Sequence, residues 1–129
     1  MKIYFNTNGT ISRIESSVLV QNSGNYNYIY IYGITAEVGL TVKVSYERPD
    51  RRKAGPYLAT SGTDDDDVAC FIARIPAEAL TVDGGLQIYI LTEKEFEEVV
   101  GGETVTSIRT QAYIGIAATV FPNGSVVGP

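Results

Sequence analysis

Alternation with a period of two runs through most of this chain, and it limits the fold more than any other feature. Over residues 40–46, Leu40, Val42, Val44 and Tyr46 share one parity, while Thr41, Lys43 and Ser45 share the other. Successive side chains of an extended strand point to opposite faces, so this pattern gives a strand one apolar and one polar face. Residues 86–91 repeat it. Further strands are expected at residues 2–7 and 10–14, joined by Asn8-Gly9, a dipeptide suited to the positive φ of a two-residue hairpin. Others fall at 18–21, 26–32, 56–60 (a brief edge strand), 68–75, 104–108 and 113–121. Pro76-Ala77-Glu78-Ala79-Leu80 suits one short helical turn. Residues 92–100 have a capping-box pattern, Thr92 followed by Glu95. A helix there would stand alone between neighbouring strands, so a charged hairpin closed by Gly101-Gly102 is expected instead. About eight or nine short strands punctuated by turns predict an all-β fold, an immunoglobulin-like antiparallel β-sandwich. With 129 residues and no visible repeat or linker, residues 1–129 are expected to form a single domain.

Charge and residue usage narrow the function. A net charge of −5 disfavours non-specific nucleic-acid binding, which needs a basic stripe, and electrostatic docking on an anionic membrane. The apolar stretches fall far short of the roughly 20 residues that span a bilayer, and the start, Met1-Lys2-Ile3-Tyr4-Phe5-Asn6, shows no secretion signal. The single cysteine, Cys70, cannot form an internal disulfide, as expected of a protein assembled in a reducing cytosol. The chain has no histidine, which removes the commonest general base and metal ligand and the usual serine and cysteine triads. Gly84-Gly85 and Gly101-Gly102 lack the sequence context of a phosphate-cradling loop. Cys70 has no His partner and reads as a small buried hydrophobe rather than a nucleophile. No catalysis and no cofactor are expected.

Four clusters remain. Asp64, Asp65, Asp66 and Asp67 offer oxygen ligands for calcium. Adjacent carboxylates point in different directions, however, and a solvated hairpin tip that discourages edge aggregation explains them as well. Glu93, Glu95, Glu97 and Glu98 form a second acidic run, with no recognisable catalytic pair. Arg48, Arg51, Arg52 and Lys53 concentrate positive charge in a loop, fitting either an acidic partner or a solvated tip. Tyr26, Tyr28, Tyr30 and Tyr32 occupy alternate positions opposite Ile29 and Ile31. Tyrosine joins a large apolar body to a hydroxyl and suits a half-wet contact. The ridge could pack in an inter-sheet core, stack on sugar rings or form a subunit interface, and a plain outer face partly shielded by neighbouring loops explains it about as well. Among the functional readings subunit contact ranks first, because sugar platforms often use Trp and this chain has none.

Val18-Leu19-Val20-Gln21, Tyr30-Ile31-Tyr32-Gly33-Ile34 and Leu40-Thr41-Val42-Lys43-Val44-Ser45-Tyr46-Glu47-Arg48-Pro49-Asp50 succeed one another along the chain. Phe71-Ile72-Ala73-Arg74-Ile75-Pro76-Ala77-Glu78-Ala79-Leu80 and Gly85-Leu86-Gln87-Ile88-Tyr89-Ile90 follow. The order of these phrases resembles the N-terminal domain of the baseplate upper protein of tailed phages and prophages of Gram-positive bacteria. The resemblance covers roughly residues 18–120. It implies a β-sandwich that links the receptor-binding apparatus to the tail, with self-association, as a trimer for example, and contacts to other tail or baseplate proteins. It further implies location in a virion tail assembled in the bacterial cytoplasm. The sequence stops at Pro129 without the extension this family uses to trimerise, so a free-standing version or the start of a longer product is expected. Neither the acidic quartet nor the tyrosine ridge matches the family pattern, and no site residue carries over. The expected function is a structural interaction module; the alternative is a carbohydrate-binding β-sandwich module or surface adhesin domain, with a two-carboxylate hydrolase third.

Overall fold

A computed structural model of the chain describes residues 1–23, 27–112 and 115–122. The strands are β1 (Lys2–Phe5), β2 (Ile11–Glu15), β3 (Leu19–Val20), β4 (Tyr28–Tyr32), β5 (Leu40–Glu47), β6 (Lys53–Leu58), β7 (Thr60–Thr63), β8 (Ala69–Arg74), β9 (Gly84–Val100), β10 (Glu103–Ala112) and β11 (Ile116–Phe121). A one-turn 3-10 helix, Ala77–Leu80, follows Pro76. Among the described residues no helix is long and apolar enough to cross a membrane.

Two sheets form a sandwich. The first runs β2-β1-β4-β8-β7, and the second runs β3-β11-β9-β5-β6 with β10 also paired to β9. Their facing sides carry the apolar parity of each strand. Ile3, Phe5, Ile29, Ile31, Phe71 and Ala73 come from the first sheet, and Val42, Val44, Tyr46, Leu86, Ile88 and Ile90 from the second, all at most 6% exposed. Tyr46 is the largest fully buried side chain, and its hydroxyl donates to the Arg74 carbonyl at 3.2 Å, so the phenol is buried with its polar atom satisfied.

The expected sandwich is present, with eleven strands among the described residues rather than eight or nine, and with mixed rather than purely antiparallel sheets. β1 pairs parallel with β4, and β3 parallel with β11. One expected stretch is split between two strands. The run at 56–60 belongs to two strands, β6 and β7, and the chain crosses from the second sheet to the first at Ala59, whose N–H donates to the Val42 carbonyl. The hairpin at Asn8-Gly9 forms, with Gly9 at φ 84°.

β9 is 17 residues long. Residues 87–94 pair with β5 on one edge, while on the other edge 84–88 pair with β11 and 91–100 with β10. Past Lys94 the strand has only β10 beside it, so 95–100 and 103–108 form a two-stranded arm. Gly101 and Gly102 turn the arm at φ 60° and 85°, the pair of positive values that a tight hairpin of matching twist requires. The charged hairpin expected over residues 92–102 is therefore the arm. Val99, Val100, Val105 and Ile108 are exposed on it.

Stability should reside in the sandwich rather than in the arm. Ile31→Ala empties a fully buried position and is expected to cost about 2–5 kcal/mol, while Val99→Ala should change stability by less than about 0.5 kcal/mol. Urea denaturation of both variants checks this; a large loss for Val99→Ala would show that the arm is part of the cooperative unit.

Candidate interaction surface

Parity divides β4. Ile29 and Ile31 face the second sheet and are fully buried, so Tyr28, Tyr30 and Tyr32 point to the outer face of the first sheet rather than into the inter-sheet core. Tyr26 lies outside the described residues. The register sets Lys2 and Tyr4 of β1 beside Tyr30 and Tyr32, and Ile72 and Arg74 of β8 beside Tyr30 and Tyr28.

The tyrosines differ in accessibility. Tyr32 is only 7% exposed: the Tyr4 ring stacks on it, centroids 4.5 Å apart and planes within 10°, and its hydroxyl donates to Asp64 Oδ2 at 2.5 Å. The Arg13 guanidinium lies 4.2 Å from the Tyr4 ring centre. Tyr30 is half-buried, and Tyr28 is 38% exposed with the Arg74 guanidinium 5.8 Å from its ring centre. Accessibility thus rises along β4 from Tyr32 to Tyr28. At the open end Tyr28, Ile72 and Arg74, with Tyr57, Leu58 and Pro76, line a cleft of about 600 Å³. Leu58 is 68% exposed there. An aromatic edge, an aliphatic side chain and a guanidinium around one open cleft can take an apolar group with polar fringes.

The acidic quartet has a structural use. Asp64 Oδ1 accepts the N–H groups of Asp66 and Val68, both at 2.9 Å, which closes the turn between β7 and β8. Its other oxygen accepts the hydrogen bond of the Tyr32 hydroxyl. The hydrogen bond from Tyr32, then that from the Val68 N–H, holds the Asp64 carboxyl below the usual carboxylate range. Asp65, Asp66 and Asp67 are exposed, and among the described residues no three acidic or thiol side chains converge as a metal cage. Burial pushes the Cys70 thiol up, away from the thiolate that reactivity requires.

The basic run is also partly internal. Arg48 pairs with Asp50 and donates to the Glu78 carbonyl at 3.4 Å, tying the β5–β6 turn to the 3-10 helix. The Arg48 guanidinium lowers the Asp50 carboxyl to about 2. Arg51, Arg52 and Lys53 stay exposed. At the foot of the arm a second cleft, of about 660 Å³, includes Lys94, Phe96 and Arg109. Both cations already have carboxylates, Glu37 for Lys94 and Glu98 for Arg109 at 3.8 Å, and both lie over the Phe96 ring. In the acidic run, Glu93 accepts an ion pair from Lys43 at 3.3 Å.

Sequence reasoning located Tyr28, Tyr30 and Tyr32 but missed Tyr4, which joins them only through a parallel pairing. It also missed Leu58 and Tyr57. Their apolar bulk on both parities of a short edge strand was the available signal.

Removing the Tyr32 hydroxyl isolates its effect. Tyr32→Phe is expected to cost about 1 kcal/mol in denaturant titration, since Asp64 Oδ2 loses its donor. Asp64 has a depressed carboxyl pKa, so its stabilisation is present above the unfolded value near 3.9 and fades as pH falls through the lower folded value. Asp64→Asn should therefore flatten the acid limb of a melting-temperature–pH profile below about pH 4. An unchanged acid limb would remove Asp64 from the account of that turn.

No protein-family model matches this chain, and a search of curated proteins finds none similar to it.

Proposed function

We propose that this chain is a structural interaction module that assembles through the outer tyrosine face of its first sheet, with copies of itself and with other proteins. The observation that carries this reading is the open end of that face, where Tyr28 lines a cleft bearing the exposed Leu58 and half-buried Tyr30 follows it on the same face. Large rigid rings with a polar tip supply contact area at little loss of side-chain entropy. A chain without histidine has a narrow choice of proton-transfer groups, and the proposal assigns it no catalytic role. The finer setting, a phage or prophage tail or baseplate component joining the receptor-binding apparatus to the tail, rests on the phrase order of residues 18–120.

The same cleft supports a second reading, a carbohydrate-binding module or adhesin domain. Tyr28 and Tyr57 could flank a sugar ring whose hydroxyls meet Arg74 and Thr60. The two readings part on self-association.

Tyr28→Ser with Tyr30→Ser should reduce the solution mass measured by light scattering on a size-exclusion column, with little change in the far-ultraviolet spectrum. Ile29 and Ile31 hold the strand in place from the other face. An unaltered mass would sink the tyrosine face as an assembly surface. A monomeric parent whose tyrosine fluorescence responds to cell-wall polysaccharide would favour the second reading.

A further inference from the structure

β10 leaves an unusual edge. One side of the strand pairs with β9 over its full ten residues, and among the described residues no strand pairs with the other. Sheet edges are normally blunted by proline, lysine, a bulge or a covering loop, because their free N–H and C=O groups template further pairing. The sequence Glu103-Thr104-Val105-Thr106-Ser107-Ile108-Arg109-Thr110 has no proline, glycine or lysine, and it is rich in β-branched residues suited to pleated backbone. Val105 and Ile108 are 45% and 61% exposed, and the register with β9 shows no irregularity. The strand sits partly on a two-stranded arm, an arrangement that gains stability from a third strand.

We propose that two copies of this chain pair antiparallel along this edge, about a two-fold axis at Thr106, making one continuous sheet across both molecules. Charge complementarity selects both the occupant and the register. Residues equidistant from Thr106 face each other, so Glu103 lies opposite Arg109 of the second copy, and this happens twice. Thr104 meets Ile108, Val105 meets Ser107, and Thr106 meets itself, each pair on one face of the sheet. Moving the axis by one residue, to Ser107, sets Glu103 opposite Gln111 and removes both ion pairs. Neither charged group is committed to a close ion pair, although Arg109 lies over the Phe96 ring. Among the described residues Glu103 makes no ion pair, and Arg109 holds Glu98 only at 3.8 Å. Arg109 is also directly opposite Lys94 within its own hairpin, a like-charge neighbour that a second carboxylate offsets. Opposite charges, matched β-branched pairs and main-chain hydrogen bonds are the ordinary sources of strand-to-strand affinity. A contact in which the same patch serves both partners closes at two copies.

This contact uses a strand edge of the second sheet and does not depend on the tyrosine face. Thr106→Cys, in a Cys70→Ala background, sets two thiols directly across the axis at a separation a disulfide can bridge. Mild oxidation should give a covalent dimer much faster than for the control Ile108→Cys, whose thiols lie apart across the axis. The cross-link should persist with Tyr28→Ser and Tyr30→Ser also present. Glu103→Arg alone and Arg109→Glu alone should each weaken association about tenfold or more, since each makes two like-charge contacts. An equimolar mixture of those two variants restores both opposite-charge contacts and should associate as the parent does. Equal cross-linking of Thr106→Cys and Ile108→Cys, a mixture no tighter than its components, or loss of the cross-link in the tyrosine variant would each overturn the two-fold edge.

Discussion

The second sheet depends on the register of β9. Leu86, Ile88 and Ile90 face the first sheet and are at most 1% exposed, and Thr92 continues the same parity at the margin of the core. A slip of one residue would turn this set to solvent, so the core half of the strand holds its register firmly. Because a strand cannot change parity without a bulge, the distal half inherits its orientation. Lys94, Phe96 and Glu98 continue the core-side face past the end of the core, and Glu93, Glu95 and Glu97 continue the outer one. The arm is thus set by packing that lies several residues away from it. β5 on one edge and β11 on the other clamp the buried half, while only β10 accompanies the rest.

Local pattern made much of this legible. The alternation at 40–46 gave the buried face of β5 directly, Asn8-Gly9 marked a hairpin, and Gly101-Gly102 marked the end of the arm even though Thr92 and Glu95 mimic a helix start. The parallel pairings left no local trace. Lys2, Ile3 and Tyr4 align with Tyr30, Ile31 and Tyr32 across a gap of 28 residues, and nothing in either stretch names the other. The crossing at Ala59 was hidden for a different reason. A chain can pass between sheets in extended conformation, so a strand that ends in one sheet and a strand that starts in the other read as one run.

The candidate surface shows the same division. Alternate tyrosines reveal a shared face, and Ile29 and Ile31 reveal which face is buried. What cannot be read from spacing is that Tyr32 is covered, because its cover comes from Tyr4 and Asp64, neither of them near it in sequence. Likewise four consecutive aspartates suggest a shared role, whereas the turn separates them. One oxygen of Asp64 can reach the N–H groups two and four residues ahead only if the chain folds back over it, and that geometry sends the following carboxylates outward. The cluster is acidic in sequence but is not a cluster in space.

The two proposed contacts, a face on one sheet and an edge on the other, together have a consequence for assembly. An isologous edge pair is complete at two copies, because each copy's β10 is then occupied. The tyrosine face belongs to the other sheet, and β10 lies on the sheet that this face turns away from, so pairing at the edge leaves the tyrosines open on both members. A dimer with two outward aromatic faces is bivalent toward any partner that binds such a face, and bivalence raises avidity without a new contact wherever the geometry lets both faces engage. An interaction module with one surface can only dock. One with two unlike surfaces, an edge that closes and a face that does not, can first form a defined pair and then join that pair to a larger structure.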